Sequence, residues 1–234
     1  SGMKRDQTEA SFAGFGLGPA DAILIASDLP FMAVLTSLNV GYNDIGAEGA
    51  KAIAEALKSG STVLTHLGLS SNTLCGVNKY GYGTYDGSGI VALAEALKFN
   101  AALTSLNISQ NYIDLFAMAE MLKVNTALTF MDISGNSIND EGMRTMGSAL
   151  LSSTTSQLGA LKCDAFNLLR NATSIDLSGK SMGPGAAILL AGVVKFNAVL
   201  KKCDLRFNRG MGDEAKAALQ EAVKSKEGFE LLLS

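Results

Sequence analysis

The stretch Leu35-Thr36-Ser37-Leu38-Asn39-Val40-Gly41-Tyr42-Asn43-Asp44-Ile45 decides the fold. Leu38 and Val40 alternate with Ser37, Asn39 and Gly41, and a period of two is the mark of a short strand with one buried face. The same frame returns at Leu64/Leu67/Leu69/Asn72/Leu74, at Leu103/Leu106/Ile108/Asn111/Ile113 and at Leu128/Met131/Ile133/Asn136/Ile138. Looser copies follow at Leu158/Leu161/Cys163, at Ala172/Ile175/Leu177 and at Leu200/Cys203/Leu205/Asn208. A single match would mean little, but recurrence in tandem marks a repeat solenoid.

Between frames the period changes. Ala50, Ile53, Ala54 and Leu57 form one apolar helical stripe, as do Ile90, Leu93, Ala94 and Leu97, then Leu115, Met118, Ala119 and Leu122, and later Ala187, Leu190, Ala191 and Val194. Each repeat is therefore expected to be a strand followed by a helix. The asparagine late in the frame (Asn43, Asn72, Asn111, Asn136, Asn208) is expected to turn inward and satisfy backbone groups of neighbouring turns.

Long repeats of this frame, each with a full helix, resemble the ribonuclease-inhibitor type of leucine-rich repeat over nearly the whole chain. The resemblance implies an α/β solenoid with a curved parallel sheet on its concave side and helices on its convex side. It implies one domain, 1–234: a degenerate N-terminal capping repeat at 3–34, repeats over 35–211, and a C-terminal cap at 212–234. The function implied is protein binding by a non-catalytic scaffold. The N-terminal repeat carries Phe12, Phe15 and Leu17 in frame positions. Its segment Gly18-Pro19-Ala20-Asp21-Ala22-Ile23-Leu24-Ile25-Ala26 copies Gly183-Pro184-Gly185-Ala186-Ala187-Ile188-Leu189-Leu190-Ala191. The array reads as complete or nearly so.

Two breaks interrupt the array. An insertion at 75–87 places Tyr80, Tyr82 and Tyr85 among glycines in a strand-to-helix loop at one rim. Insertions in repeat arrays map to loops, often on the binding face, and tyrosine is an enriched hot-spot residue. These tyrosines either contact a partner or fold back on adjacent repeats. Cys75, in the same loop, reads as the one reachable thiol. The second break is the 14-residue step from Leu158 to Ala172, which leaves no room for a helix. Phe166, Leu168 and Leu169 are expected to fill that place, in a helix-less short repeat at 158–171.

The open strand face carries His66, Phe130, Asp132, Asp164, Asp176, Asp204 and Arg206. The four aspartates form an expected acidic stripe: either a solvated face or a patch for a basic or mixed-charge segment. Phe130 adds an apolar anchor, since an outward aromatic has no core duty.

Composition narrows the function classes. A hydrophobic fraction of 47% and a charged fraction of 18% fit a large core. The formal net charge of -3 supplies no basic field for nucleic acid. Three cysteines without framework spacing point to reduced thiols and a cytoplasmic setting. No apolar run is long enough for a membrane span, and a monomer is expected. The lone His66 lacks partners for a triad, metal-ligand clusters are absent, and no cofactor is called for. Ran GTPase-activating proteins of this repeat family use a rim arginine. Here the early loops have none and Arg209 is the only loop arginine near a frame end, so GTPase activation stands as the enzyme-class alternative. A structural or sensing segment of a larger protein is the third reading.

Overall fold

The computed structural model describes residues 2–78 and 81–233. Each frame becomes a short strand: β1 (Glu9–Ser11), β2 (Ser37–Asn39), β3 (His66–Gly68), β4 (Ser105–Asn107), β5 (Phe130–Asp132) and β6 (Ala160–Lys162). These run parallel in chain order, with Ala10, Leu38, Leu67, Leu106, Met131 and Leu161 in one register column. That column is buried, and full burial of a leucine side chain contributes about 1.5–3 kcal/mol. The helices are α1 (Pro19–Asp28), α2 (Gly46–Lys58), α3 (Ser88–Leu97), α4 (Phe116–Leu122), α5 (Asp140–Ser152), α6 (Pro184–Phe196) and α7 (Gly212–Val223), each packed on the next. Strands sit about 4.8 Å apart and helices about 8–10 Å apart. One of each per repeat therefore bends the stack, with the sheet inside.

Three side-chain ladders hold the turns in register. In the first, the frame asparagines face inward. Asn111 Nδ2 donates to the Leu69, Ile108 and Ser109 carbonyls at 2.9, 3.1 and 2.9 Å, and Asn111 Oδ1 accepts from the Asn72 amide at 2.8 Å. Asn43, Asn72, Asn136 and Asn208 repeat the pattern. A second ladder, unforeseen in the sequence, runs along the other rim. Asn100, Asn125 and Asn197 cap the helix-to-strand turns through Oδ1, and donate back to the Leu57, Leu97 and Gly159 carbonyls. Its signal was present as Lys98-Phe99-Asn100, Lys123-Val124-Asn125 and Lys195-Phe196-Asn197. In the third ladder, the hydroxyls of Thr36, Thr65, Thr104 and Thr129 each donate to the carbonyl of the preceding repeat's threonine, beginning at Thr8.

The regular stack stops at β6. The chain turns back as β7 (Asn167–Leu168), antiparallel to β6, and closes a seven-stranded sheet. A second, three-stranded parallel sheet holds β8 (Ser174–Asp176), β9 (Lys202–Asp204) and β10 (Glu230–Leu232). No helix lies between β6 and β8. Phe166 and Leu168 fill the space, whereas Leu169, also expected there, is exposed. Without an intervening helix α5 meets α6 directly, and the fit depends on glycine. A methyl group at Gly147 would lie 2.5 Å from the Leu189 amide nitrogen, and one at Gly185 would collide with the Asp140 carbonyl.

Two further expectations are corrected, at Phe15 and at Cys75. Phe12 is half-buried in the row of Val40, but Phe15 is exposed and meets Phe12 edge-on at 6.2 Å. Cys75 is buried, not reachable.

Candidate functional site

The described residues of the insertion at 75–87 fold back on one another at the strand-to-helix rim. Val77 and Gly83 form an antiparallel bridge, the Asn78 amide donates to the Tyr82 carbonyl at 2.9 Å, and the Asp86 amide donates to the Cys75 carbonyl at 2.9 Å. Tyr80 lies outside the described residues. Its two companions are both exposed, Tyr85 at 53% and Tyr82 at 74% beside the loop's turn. Burial pushes the Cys75 thiol up to about 11, an effect that the nearby Tyr85 hydroxyl only partly offsets. Beneath this loop opens a groove of about 430 Å³, lined by Tyr42, Asn43, Asp44, Ser71, Thr73, Asn78 and Gln110. Tyr42 is exposed and holds a positive φ of 57°, which the turn into the inward Asn43 requires.

On the strand face, His66 is exposed and its Nδ1 lies 2.8 Å from the Thr65 hydroxyl. Ser37, His66, Ser105 and Phe130 form one outward column, ending at Ala160. The column closes along its length. Phe130 is half-buried rather than exposed, and Ala160 is fully buried.

The four aspartates do not form one stripe. Asp132 is buried and paired with Lys162 at 3.0 Å; its Oδ1 accepts from the Ser134 amide and hydroxyl. Asn39 and Asn107, at the same register level, accept from their own i+2 amides. An acceptor at this position therefore has a local structural duty, which the sequence reading took for surface charge. Asp164 lies beyond its strand and accepts from the Gly135 amide at 2.7 Å. Asp176 and Asp204 belong to the separate three-stranded sheet, in register with one another. Asp204 is buried under Arg206, which donates from Nε at 3.0 Å and from Nη2 at 2.6 Å. That pairing holds the Asp204 carboxyl below the usual carboxylate range and raises Arg206. Asp176 is exposed, and bonds from the Ser178 amide and hydroxyl lower its carboxyl likewise. The expected acidic patch thus divides between two sheets, with Asp132 and Asp204 paired to cations and Asp164 and Asp176 bound by backbone amides.

The described residues hold no group of three or more His, Cys, Asp or Glu side chains that could bind a metal ion. Among them, no helix is long and apolar enough to cross a membrane. Cys163 and Cys203 are buried in the core, and burial pushes their thiols up to about 11 and about 12.

The Leucine Rich repeat family profile matches residues 32–54 and 124–147, which contain β2 and β5 with the starts of the helices that follow. No curated protein sequence matches the chain. Among solved structures, the Leiomodin-1 Actin-Binding Site 2 is similar at 19% identity and a TM-score of 0.44, covering 73% of this chain and 85% of its own. A Bacteroides fragilis protein from a structural genomics programme is similar at 15% identity and a TM-score of 0.40, covering 93% of this chain and 64% of its own.

Proposed function

We propose that this chain, a leucine-rich repeat protein, is a non-catalytic scaffold that binds a partner protein with the early half of its open sheet face and the adjoining strand-to-helix rim. Repeats of this kind generally mediate protein–protein contact, and the long strand–helix units here support the ribonuclease-inhibitor-like type. The observation that carries the reading is the exposed Tyr82, on a loop that the Val77–Gly83 bridge draws together. An exposed aromatic beside a groove is the form binding hot spots take, because tyrosine offers a large contact area with few side-chain torsions to fix. His66 extends the surface inward from the rim. Asp176 and Arg206 are a lesser, separate patch on the second sheet. The net charge of -3 supports a protein rather than a nucleic acid as partner. Three unpaired, buried cysteines support a reducing compartment such as the cytoplasm.

The test is capture of partners from native lysate with wild type, Tyr82→Ala, His66→Ala and the helix-side control Glu95→Ala. Retention is expected to fall by about tenfold in the first two variants, as for loss of a contact worth about 1.4 kcal/mol, and to persist in the control. Equal retention by all four proteins contradicts the assignment of this face.

A further inference from the structure

Two hollows adjoin along the strand-to-helix rim, where α3, α4 and α5 begin. The first, of about 230 Å³, is lined by Tyr85, Ile90, Val91, Phe116 and Ala117, together with Asp114. The second, of about 430 Å³, is lined by Asp114, Phe116, Ser137, Asn139, Glu141 and Thr145 among others. Asp114 and Phe116 line both, so the hollows form one trough with an apolar end and a polar, acidic end. Three of the apolar side chains are open to a ligand: Tyr85, Val91 and Phe116 are all exposed.

The acidic end carries charge that the chain leaves unmatched. Every glutamate of α2, α3 and α4 is paired with a lysine three residues on: Glu48 with Lys51, Glu55 with Lys58, Glu95 with Lys98 and Glu120 with Lys123. On α5 the corresponding cation exists, Arg144 three residues after Glu141, but its guanidinium reaches across to Glu214 of α7 instead. Glu141 is left exposed and forms no ion pair among the described residues. Asp114 gives one oxygen to the Phe116 amide at 2.8 Å, a duty at the helix start, and it too has no cation partner among them. No described lysine or arginine lines either hollow. The starts of α4 and α5 each supply about half a positive charge, which two full carboxylates exceed.

We infer that this trough seats an extended segment of the partner protein in which a lysine or arginine lies within two residues of a large apolar side chain. The apolar group packs against Val91 and Phe116. The cation sits between Asp114 and Glu141, with its aliphatic stem across the Phe116 ring. A neutral or acidic segment would cover the two carboxylates without pairing them, which selects against it. The inference rests on the proposal that a partner binds this rim, and it adds the partner's chemistry.

The test pans a phage library of random linear peptides on the whole chain and titrates the enriched peptides, as fluorescein conjugates, by anisotropy. Enriched sequences are expected to carry Lys or Arg within two positions of Phe, Tyr, Trp, Leu or Ile. The double variant Asp114→Asn/Glu141→Gln should weaken their binding by about tenfold, as should Phe116→Ala. Asparagine at 114 keeps an oxygen for the Phe116 amide, so the helix start is preserved. The charge-matched control Glu55→Gln/Glu95→Gln, on the outer surfaces of α2 and α3, should leave binding unchanged. Enriched peptides without a basic residue overturn the inference, as does a library that yields no binder, or equal binding by wild type and the double variant. Tyr82→Ala separates the two claims. Peptides weakened by Tyr82→Ala but not by the double variant uphold the rim proposal and overturn the trough, and the reverse pattern upholds the trough and contradicts the role of Tyr82.

Discussion

Cys75 shows how a residue can be read correctly in kind and wrongly in place. A cysteine in a glycine-rich insertion suggests an accessible thiol. Instead the side chain is buried, and its pKa is pushed up to about 11. That burial depends on how the chain folds around it, which a linear frame does not disclose. Native protein at pH 8 should be alkylated at Cys75 at least about tenfold more slowly than the urea-unfolded chain, because the thiolate is the reacting form. Peptide mapping after a timed iodoacetamide pulse gives the rates. Equal rates in native and unfolded protein would contradict the burial of this thiol. The inward asparagines, by contrast, were legible, since an amide recurring at one position of an otherwise apolar frame can serve only where backbone groups need both a donor and an acceptor.

Among the elements, α5 and α6 carry the consequence of the short repeat. The frame spacing between Leu158 and Ala172 already denied a helix there. What it did not disclose was that the strand would pair back on itself and that the flanking helices would close up over the gap. That closure demands missing side chains, and Gly147, Gly185 and Gly192 supply them. Alanine in place of a helix-interior glycine ordinarily stabilises by about 1 kcal/mol. At Gly147 the sign should reverse: the new methyl meets the Ile188 and Leu189 backbone, which cannot swing aside as a flexible side chain would. Gly147→Ala is expected to destabilise by about 1–3 kcal/mol, the usual cost of overpacking. Urea denaturation measures it, and a neutral or stabilising result would show that α5 and α6 stand further apart than described. The acidic stripe fails at this same scale. Its residues are separated by the change of sheet between β7 and β8, and a linear frame gives no sign of where a sheet is cut.

For the molecule as a whole, the strand–helix alternation was legible because the period switch from two to 3.6 recurs in every regular repeat. The candidate surface was legible only in part. The insertion marked the rim, but how far each tyrosine projects depends on contacts made across the fold. Openness of the strand face likewise depends on what lies over it, and it closes between His66 and Ala160. The proposed binding places partners on the early sheet face and the tyrosine rim, not on the helices. The direct measurement places a photo-crosslinking residue singly at positions 66, 82, 55 and 95 and irradiates each protein in native lysate. Positions 55 and 95 are exposed on the outer surfaces of α2 and α3. A common crosslinked partner is expected from positions 66 and 82 and none from 55 or 95. The same partner captured from the helix positions, with 66 and 82 silent, would contradict it.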